Sequence, residues 1–401
     1  METPKLANLT SDLKKLVVKF LSDYINRNLR IKDKSYSTKQ SSYLKSDAED
    51  FNRIFNNFLS DNEVAPSYNI DSGTRKYSFK IGDVVIRNPV ITAPLAGISD
   101  NTYRIFASCF GAALNFTEMI TGYGIHYGQK KSIDLSRITS YERPCALQLF
   151  GSDVDIIADA ALKIEDKADI IDINMGCPVP KVLKSGSGGY LMRDEDKVEK
   201  IVKKLSMVLK KPLTIKTRIG WDRNSINILN IAKIAEDAGA CAISIHGRTV
   251  KQGFSGETDY CILKKVKESV KIPVIASGDV DSSGKAKEVL DYTGCDGVMI
   301  GRKAKGRLWL LMDVLIYILT GRNGLVIDND FEPDIEWKKE FAKLYLEFLV
   351  YFKGEDRGVR EFRKHLCWIF KGSQGVNKIK DEFFKISCFR GAVNCIEMFG
   401  K

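Results

Sequence analysis

Apolar and polar stretches alternate along this chain in a way that separates a long periodic middle from two helical flanks. In the middle, short apolar segments recur: Val90–Ala93, Ala113–Thr117, Cys145–Leu149, Ile170–Asn174, Leu213–Thr217, Ala242–His246, Val274–Ser277 and Gly297–Ile300. Their length and β-branched content are those of buried strands. Stretches with helical spacing lie between most of them, for example Val154–Glu165, Lys197–Leu209, Ile226–Ala238 and Gly284–Tyr292. Eight such units predict an α/β fold, a (β/α)8 barrel of the TIM type. The competing arrangement, an open doubly wound sheet, calls for a GxGxxG turn after an early strand, and none occurs.

The flanks follow the 3.6-residue period instead. Leu13, Leu16, Val17, Phe20, Leu21 and Tyr24 predict one amphipathic helix. Phe51, Ile54, Phe55, Phe58 and Leu59, after a capping box of Ser46 and Glu49, predict a second. A polar link, Asn26 to Lys45, joins them. This N-terminal helical extension (residues 1–80) reads as an appendage packed on the main domain, or as an arm for RNA, a partner or a membrane surface. The barrel is expected over residues 81–328 and a C-terminal helical domain over 329–401. In the latter, Glu336–Phe352, Arg357–Phe370 and Asn377–Ile386 carry helical patterns. The second of these interleaves Arg357, Arg360, Arg363 and Lys364 with Phe362, His365 and Trp368. That is either a solvated basic face over an aromatic core stripe or a nucleic-acid platform.

In a barrel of this kind, chemistry sits at the C-terminal strand ends. Here those ends carry Pro94-Leu95-Ala96-Gly97, Glu118, Gln148, Asn174 with Cys177, Lys216 with Arg218, His246 with Arg248, Ser277-Gly278-Asp279, and Gly301-Arg302. A cysteine between Gly176 and Pro178 at a strand end is expected on a loop, since proline ends the ladder. The bland alternative is a buried bystander thiol. The last two strand ends fit a phosphate site, with glycines that let backbone N–H groups approach an anion and Arg302 as fixed charge. Gln148, Lys216 and His246 then lie along a cofactor. A flat heterocycle with a phosphate tail and a stabilised anionic reduced form points to flavin mononucleotide (FMN).

Composition narrows the class. The 401 residues include 62 Lys and Arg against 51 Asp and Glu, a formal charge of +11, which favours a polyanionic partner. Nine cysteines without CxxC spacing read as reduced thiols of a cytoplasmic protein. Only three histidines occur and no HExxH or zinc-finger spacing, so no metal is expected. The most apolar run, Leu310 to Leu319, is interrupted by Asp313 and is too short for a membrane span.

Several blocks together resemble the tRNA-dihydrouridine synthase family, in its bacterial form. They are Ala93–Asp100, Asp172–Pro178 with Lys181 and Gly186–Met192, Pro212–Gly220, His246–Thr249 with Gln252–Gly256, Ile272–Val280 and Met299–Arg302. The resemblance runs from about residue 84 to 372, in order, and Asn174-Met175-Gly176-Cys177-Pro178 is its most specific part. It implies an FMN-binding barrel and a helical domain that helps grip tRNA. Pro94, Leu95 and Ala96 would lie against the flavin, with Gln148, Lys216 and His246 at its ring. Ser277, Gly278, Asp279, Gly301 and Arg302 would surround its phosphate. Asn174 would help place the uracil, Cys177 would donate a proton, and Lys181, Arg218, Arg248, Arg360, Arg363 and Lys364 would contact RNA. NADPH or NADH would be the reductant, and a monomer is expected. Leu95 replaces the family's usual methionine and Ser277 its asparagine. Lys303, Lys305 and Leu308 replace smaller residues and a proline. Two other functions compete: an FMN barrel acting on a small molecule, in the manner of dihydroorotate dehydrogenase, and a non-catalytic RNA-binding protein.

Overall fold

The computed structural model describes residues 3–30, 77–320 and 332–399. The second N-terminal helix expected around Phe51–Leu59, and most of the polar link before it, lie outside them.

A hairpin opens the middle region: β1 (Phe79–Ile81) pairs antiparallel with β2 (Val84–Ile86). Then come β3 (Val90–Thr92), β4 (Asn115–Phe116), β5 (Ile120–Thr121), β6 (Cys145–Phe150), β7 (Ile170–Met175), β8 (Leu213–Arg218), β9 (Ala242–His246), β10 (Val274–Ser277) and β11 (Gly297–Ile300). These run parallel in the order β3-β11-β10-β9-β8-β7-β6-β4, with β5 extending the edge of β6. The bridge between Ile91 and Leu114 brings β3 back to the start of β4 and closes the barrel. The expected (β/α)8 barrel is therefore the observed one. One expected strand is divided: Ala113–Thr117 forms only the two-residue β4, and the chain re-enters the sheet as β5.

Successive strand residues face opposite sides of the sheet. Inside, Ile91, Phe116, Ala146, Ile170, Ala242, Ile275 and Met299 form an apolar cluster with Ile81 and Ile86 of the hairpin. Their neighbours Leu147, Ile171, Ile243, Ala276 and Val298 belong to the outer core beneath the helices. The hairpin closes the N-terminal end, where Gly82 lies so near Pro212 that a Cβ would meet its Cγ at 2.7 Å.

The Pro4–Arg30 helix buries Leu6, Leu13, Val17 and Phe20. It fits between the Asn101–Cys109 helix of the barrel and the Ile335–Lys353 helix of the C-terminal domain. Phe20 lies 5.9 Å from Phe110 and 5.5 Å from Trp337, whose Nε1 donates to the Leu16 carbonyl at 3.3 Å. The C-terminal domain continues with helices Glu355–Ile369, Val376–Phe383 and Phe389–Glu397. The apolar run at Leu310–Leu319 is a buried helix, Trp309–Thr320. No helix among the described residues is long and apolar enough to cross a membrane.

Candidate active site at the barrel mouth

The alternation that builds the apolar interior also aims the polar residues. Two positions after Ala146 comes Gln148; after Ile170 come Asp172 and Asn174. After Ala242 come Ser244 and His246; after Ile275 comes Ser277; after Met299 comes Gly301. On β8 the same side carries Thr214, Lys216 and Arg218, by their pairing with Asp172, Asn174 and His246. The interior is thus apolar at the bottom and polar at the top. Register stacks the polar part in layers: Gln148 beside Asp172 beside Thr214, Asn174 beside Lys216 beside Ser244, and Arg218 beside His246 beside Ser277.

On the β6–β8 side this layer is closed by its own hydrogen bonds. Gln148 Nε2 donates to Asp172 at 2.7 Å, and Thr214 Oγ1 donates to the other carboxylate oxygen at 2.6 Å. Gln148 Oε1 accepts from Asn174 Nδ2 at 2.8 Å. Asn174 Oδ1 in turn accepts the Cys177 N–H at 2.9 Å and the Gly176 N–H at 3.2 Å. Burial pushes the Asp172 carboxyl up to about 6 against the pull of Thr214 and Gln148. Asp172 and Thr214 were absent from the residues expected at the site. Their signal was parity: each sits two positions before an expected residue on the same strand.

Asn174 therefore holds the Cys177 loop through two backbone amides. The loop also tucks under β8, where a Cβ at Gly176 would meet the Thr217 backbone at 3.0 Å. The Cys177 carbonyl accepts the Gly189 N–H at 3.0 Å. The thiol is half-buried, and burial raises its pKa more than the Val179 N–H, Arg218 and Lys216 lower it. Burial, with Arg218 beside it, brings Lys216 down to about 8. Burial and four cations, Arg218, Lys216, Arg248 and Arg302, drive His246 down to about 2. At neutral pH the group comprises a thiol holding its proton, a charged lysine and a neutral imidazole.

The arginines divide by partner. Arg218 is 2% exposed and donates to the carbonyls of Gly176 (2.9 Å), Thr249 (2.9 Å) and Gly253 (2.7 Å). Arg248 donates to Asp279 Oδ1 at 2.9 Å and to the Gly256 carbonyl at 2.6 Å. Both fasten mouth loops to protein acceptors. Arg302 is half-exposed, 4.1 Å from the ring of Phe254, with Asp279 at 3.6 Å.

The β10–β11 side is open by contrast. Gly278 and Asp279 both take positive φ, 117° and 47°. Among the described residues, no protein acceptor takes the N–H of Gly278, Asp279 or Arg302. A Cβ at Gly278 would meet His246 Cδ2 at 2.7 Å, so only glycine keeps this wall free. Unpaired N–H groups around a left-handed turn, with an arginine beside them, form an anion cradle.

The C-terminal domain reaches the mouth through the loop after β3, which carries Pro94, Leu95 and the exposed Ala96. Lys364 Nζ donates to the Gly97 carbonyl at 2.5 Å, and the Gly97 N–H donates to Glu118. Lys353 pairs with Asp100 and, at 2.5 Å, with Glu361. Arg363 lies 5.7 Å from the Phe384 ring and donates to the Ile386 carbonyl at 3.3 Å. Arg360 and Lys181 stand exposed, Arg360 on the basic helix and Lys181 after the Cys177 loop. No group of three or more His, Cys, Asp or Glu among the described residues could hold a metal ion.

Over most of its length the chain is similar to known proteins. The dihydrouridine synthase family profile fits residues 91–398. The tRNA-dihydrouridine synthase B of Vibrio vulnificus (strain CMCP6) is 39% identical over 305 residues, 76% of this chain and 93% of that protein. The tRNA-dihydrouridine synthase B of Pseudomonas syringae pv. tomato is 37% identical over 311 residues, 77% and 90% of the two chains. A probable tRNA-dihydrouridine synthase of Rickettsia bellii is 38% identical over 317 residues, 79% and 92%. Among solved structures, histamine dehydrogenase from Rhizobium sp. 4-9 overlaps 60% of this chain and 48% of its own at 12% identity and a TM-score of 0.47. Residues 1–90, with the N-terminal helix, precede the matched region. From the barrel's strand ends to its last helix, the chain belongs to the dihydrouridine synthase family.

Proposed function

We propose that this protein is a tRNA-dihydrouridine synthase that uses FMN and NADPH or NADH to reduce the carbon–carbon double bond of uracil in tRNA. The observation that carries the reading is the pairing of a protonated half-buried thiol, Cys177, with the open N–H cradle across the mouth. The donor set fits FMN. Gly278, Asp279 and Arg302 offer unpaired N–H groups to its phosphate, with Ser277 and Gly301 beside them. Gln148, Lys216 and His246 would lie at its ring, and Pro94, Leu95 and Ala96 would supply a wall. When bound, the reduced flavin supplies the hydride that adds to one carbon of the double bond.

The neighbouring carbon then takes a proton from Cys177 Sγ. Burial keeps that proton in place at neutral pH, and Arg218 and Lys216 stabilise the thiolate left behind. Hydride and proton together saturate the double bond and complete the balance. Lys216, charged below about pH 8, also favours an anionic ring. His246 stays neutral and can accept a hydrogen bond. Asn174 is a positioning residue for the Cys177 loop and lies beside the place a uracil would occupy. The target base has to leave its stack to reach this depth. Arg360 and Lys181 are exposed cations for RNA phosphates. Lys364 spends a donor on the Gly97 carbonyl and fixes the basic helix against the mouth, while Arg363 ties that helix to the Ile386 carbonyl within the helical domain. Position-resolved mapping of dihydrouridine in tRNA tests the reading. Unmodified tRNA incubated with the protein, FMN and NADPH should gain dihydrouridine at defined positions; none at any position would overturn it.

A further inference from the structure

The helical domain touches the barrel at one side of the mouth. Its contacts fall on the loop after β3, through Lys364 and Lys353, and on the loop after β11, where Lys305 lies 5.2 Å from the Trp368 ring. Counting around the closed barrel, β7 and β8 lie diametrically opposite β3 and β11. An RNA held by the helical domain alone would be gripped on one side of the reacting base.

On the opposite rim stands an aromatic and cationic cluster that the chemistry does not use. Tyr190 follows the Cys177 loop and is 38% exposed, and Trp221 follows β8. Their rings meet edge to face at 6.2 Å. Arg193 lies over both, 5.2 Å from the Tyr190 ring and 5.1 Å from the Trp221 ring. The platform is rigid from below. The Gly189 N–H donates to the Cys177 carbonyl at 3.0 Å, Leu191 and Met192 are buried, and Lys251 N–H donates to the Trp221 carbonyl at 2.9 Å. Lys181 and Lys184, on the short helix Pro180–Lys184, and Arg223, on the loop after β8, stand exposed nearby. An exposed tyrosine beside a partly buried tryptophan that packs on the core, with a guanidinium over both rings and cations around them, is a receptor for an unstacked base and its phosphates.

We propose that Tyr190, Trp221 and Arg193 form a second RNA contact, across the mouth from the helical domain, that stacks a nucleobase next to the uridine being reduced. This rests on the tRNA-reductase reading. Tyr190 is one residue from the glycine bonded to the Cys177 carbonyl, so the stacked base is a close neighbour of the target. The contact adds substrate affinity without touching the reacting atoms.

The test is steady-state reduction of an unmodified tRNA transcript by the full chain, alongside transcript binding read from tryptophan fluorescence. Tyr190→Leu should raise KM and the transcript Kd about tenfold, the loss of one stacked base. Saturated kcat, flavin content and melting temperature should hold, and Tyr190→Phe, which keeps the ring, should restore binding. Arg193→Gln should lower the salt dependence of binding by about one phosphate contact. If Tyr190→Leu binds and turns over like the wild type, the platform is wrong and the cluster is only a rigid rim or a protein-docking surface. If the wild type reduces no uridine, the functional reading fails, and the platform stands or falls on transcript binding alone.

Discussion

The two sides of the barrel mouth use polar groups in opposite ways. On β6, β7 and β8, Gln148, Asp172, Asn174 and Thr214 spend their donors and acceptors on one another and on the Cys177 loop. On β10 and β11, the N–H groups of Gly278, Asp279 and Arg302 face no protein acceptor among the described residues. The first set stands on inward positions of the strands themselves, and the second on the turns just past the ends of β10 and β11. The difference lies in place and chemistry: amides and a carboxylate on adjoining strands can satisfy each other, whereas a free backbone N–H past a strand end can only donate. A closed network holds geometry, and an open one waits for a ligand.

This contrast can be broken from either side. The largest effect is expected at the open side. Arg302→Ala should weaken FMN binding by about 1.5–3 kcal/mol, the value of a hydrogen bond to a charged group. Because Arg302 is half-exposed, the melting temperature of the flavin-free protein should hold; fluorescence titration with FMN and a thermal melt together read the split. At the closed side, Thr214→Val keeps volume but removes a donor from a fully buried carboxylate. It should cost about 1–3 kcal/mol of stability in a denaturant titration and leave FMN affinity unchanged. A result in which both variants lose flavin and stability together would dissolve the distinction.

A smaller effect concerns pH. Lys216 is lowered to about 8, so its ammonium is charged below that pH and neutral above it. Turnover should fall on the alkaline side through about pH 8. In Lys216→Arg, which stays charged, the fall should move up to the titration of Cys177, whose own pKa is raised. An unchanged alkaline limb in that variant would remove Lys216 from the charge balance.

Much of this was legible in the residues, but unevenly. Apolar runs gave β9, β10 and β11 their observed bounds, because each run is bounded by turn residues. The hairpin was not visible, since its strands are three residues each and half-exposed. Gln148, Lys216 and His246 could be named because strand ends point inward at a predictable place. The pairing of Arg248 with Asp279, 31 residues away, and of Lys364 with Gly97, 267 residues away, could not. Lys364 read as an RNA cation because sequence reports charge and not partner. The N-terminal helix read as amphipathic, but only the fold reveals that Phe20 meets both Phe110 of the barrel and Trp337 of the helical domain.

The most direct measurement is single-turnover reduction of unmodified tRNA by Cys177→Ala carrying FMN already reduced with NADPH. The flavin should bind and be reduced as in the wild type, while dihydrouridine formation slows by about 10²–10⁴, the usual contribution of a positioned general acid. Dihydrouridine formed at the wild-type rate would contradict the assignment of the proton to Cys177.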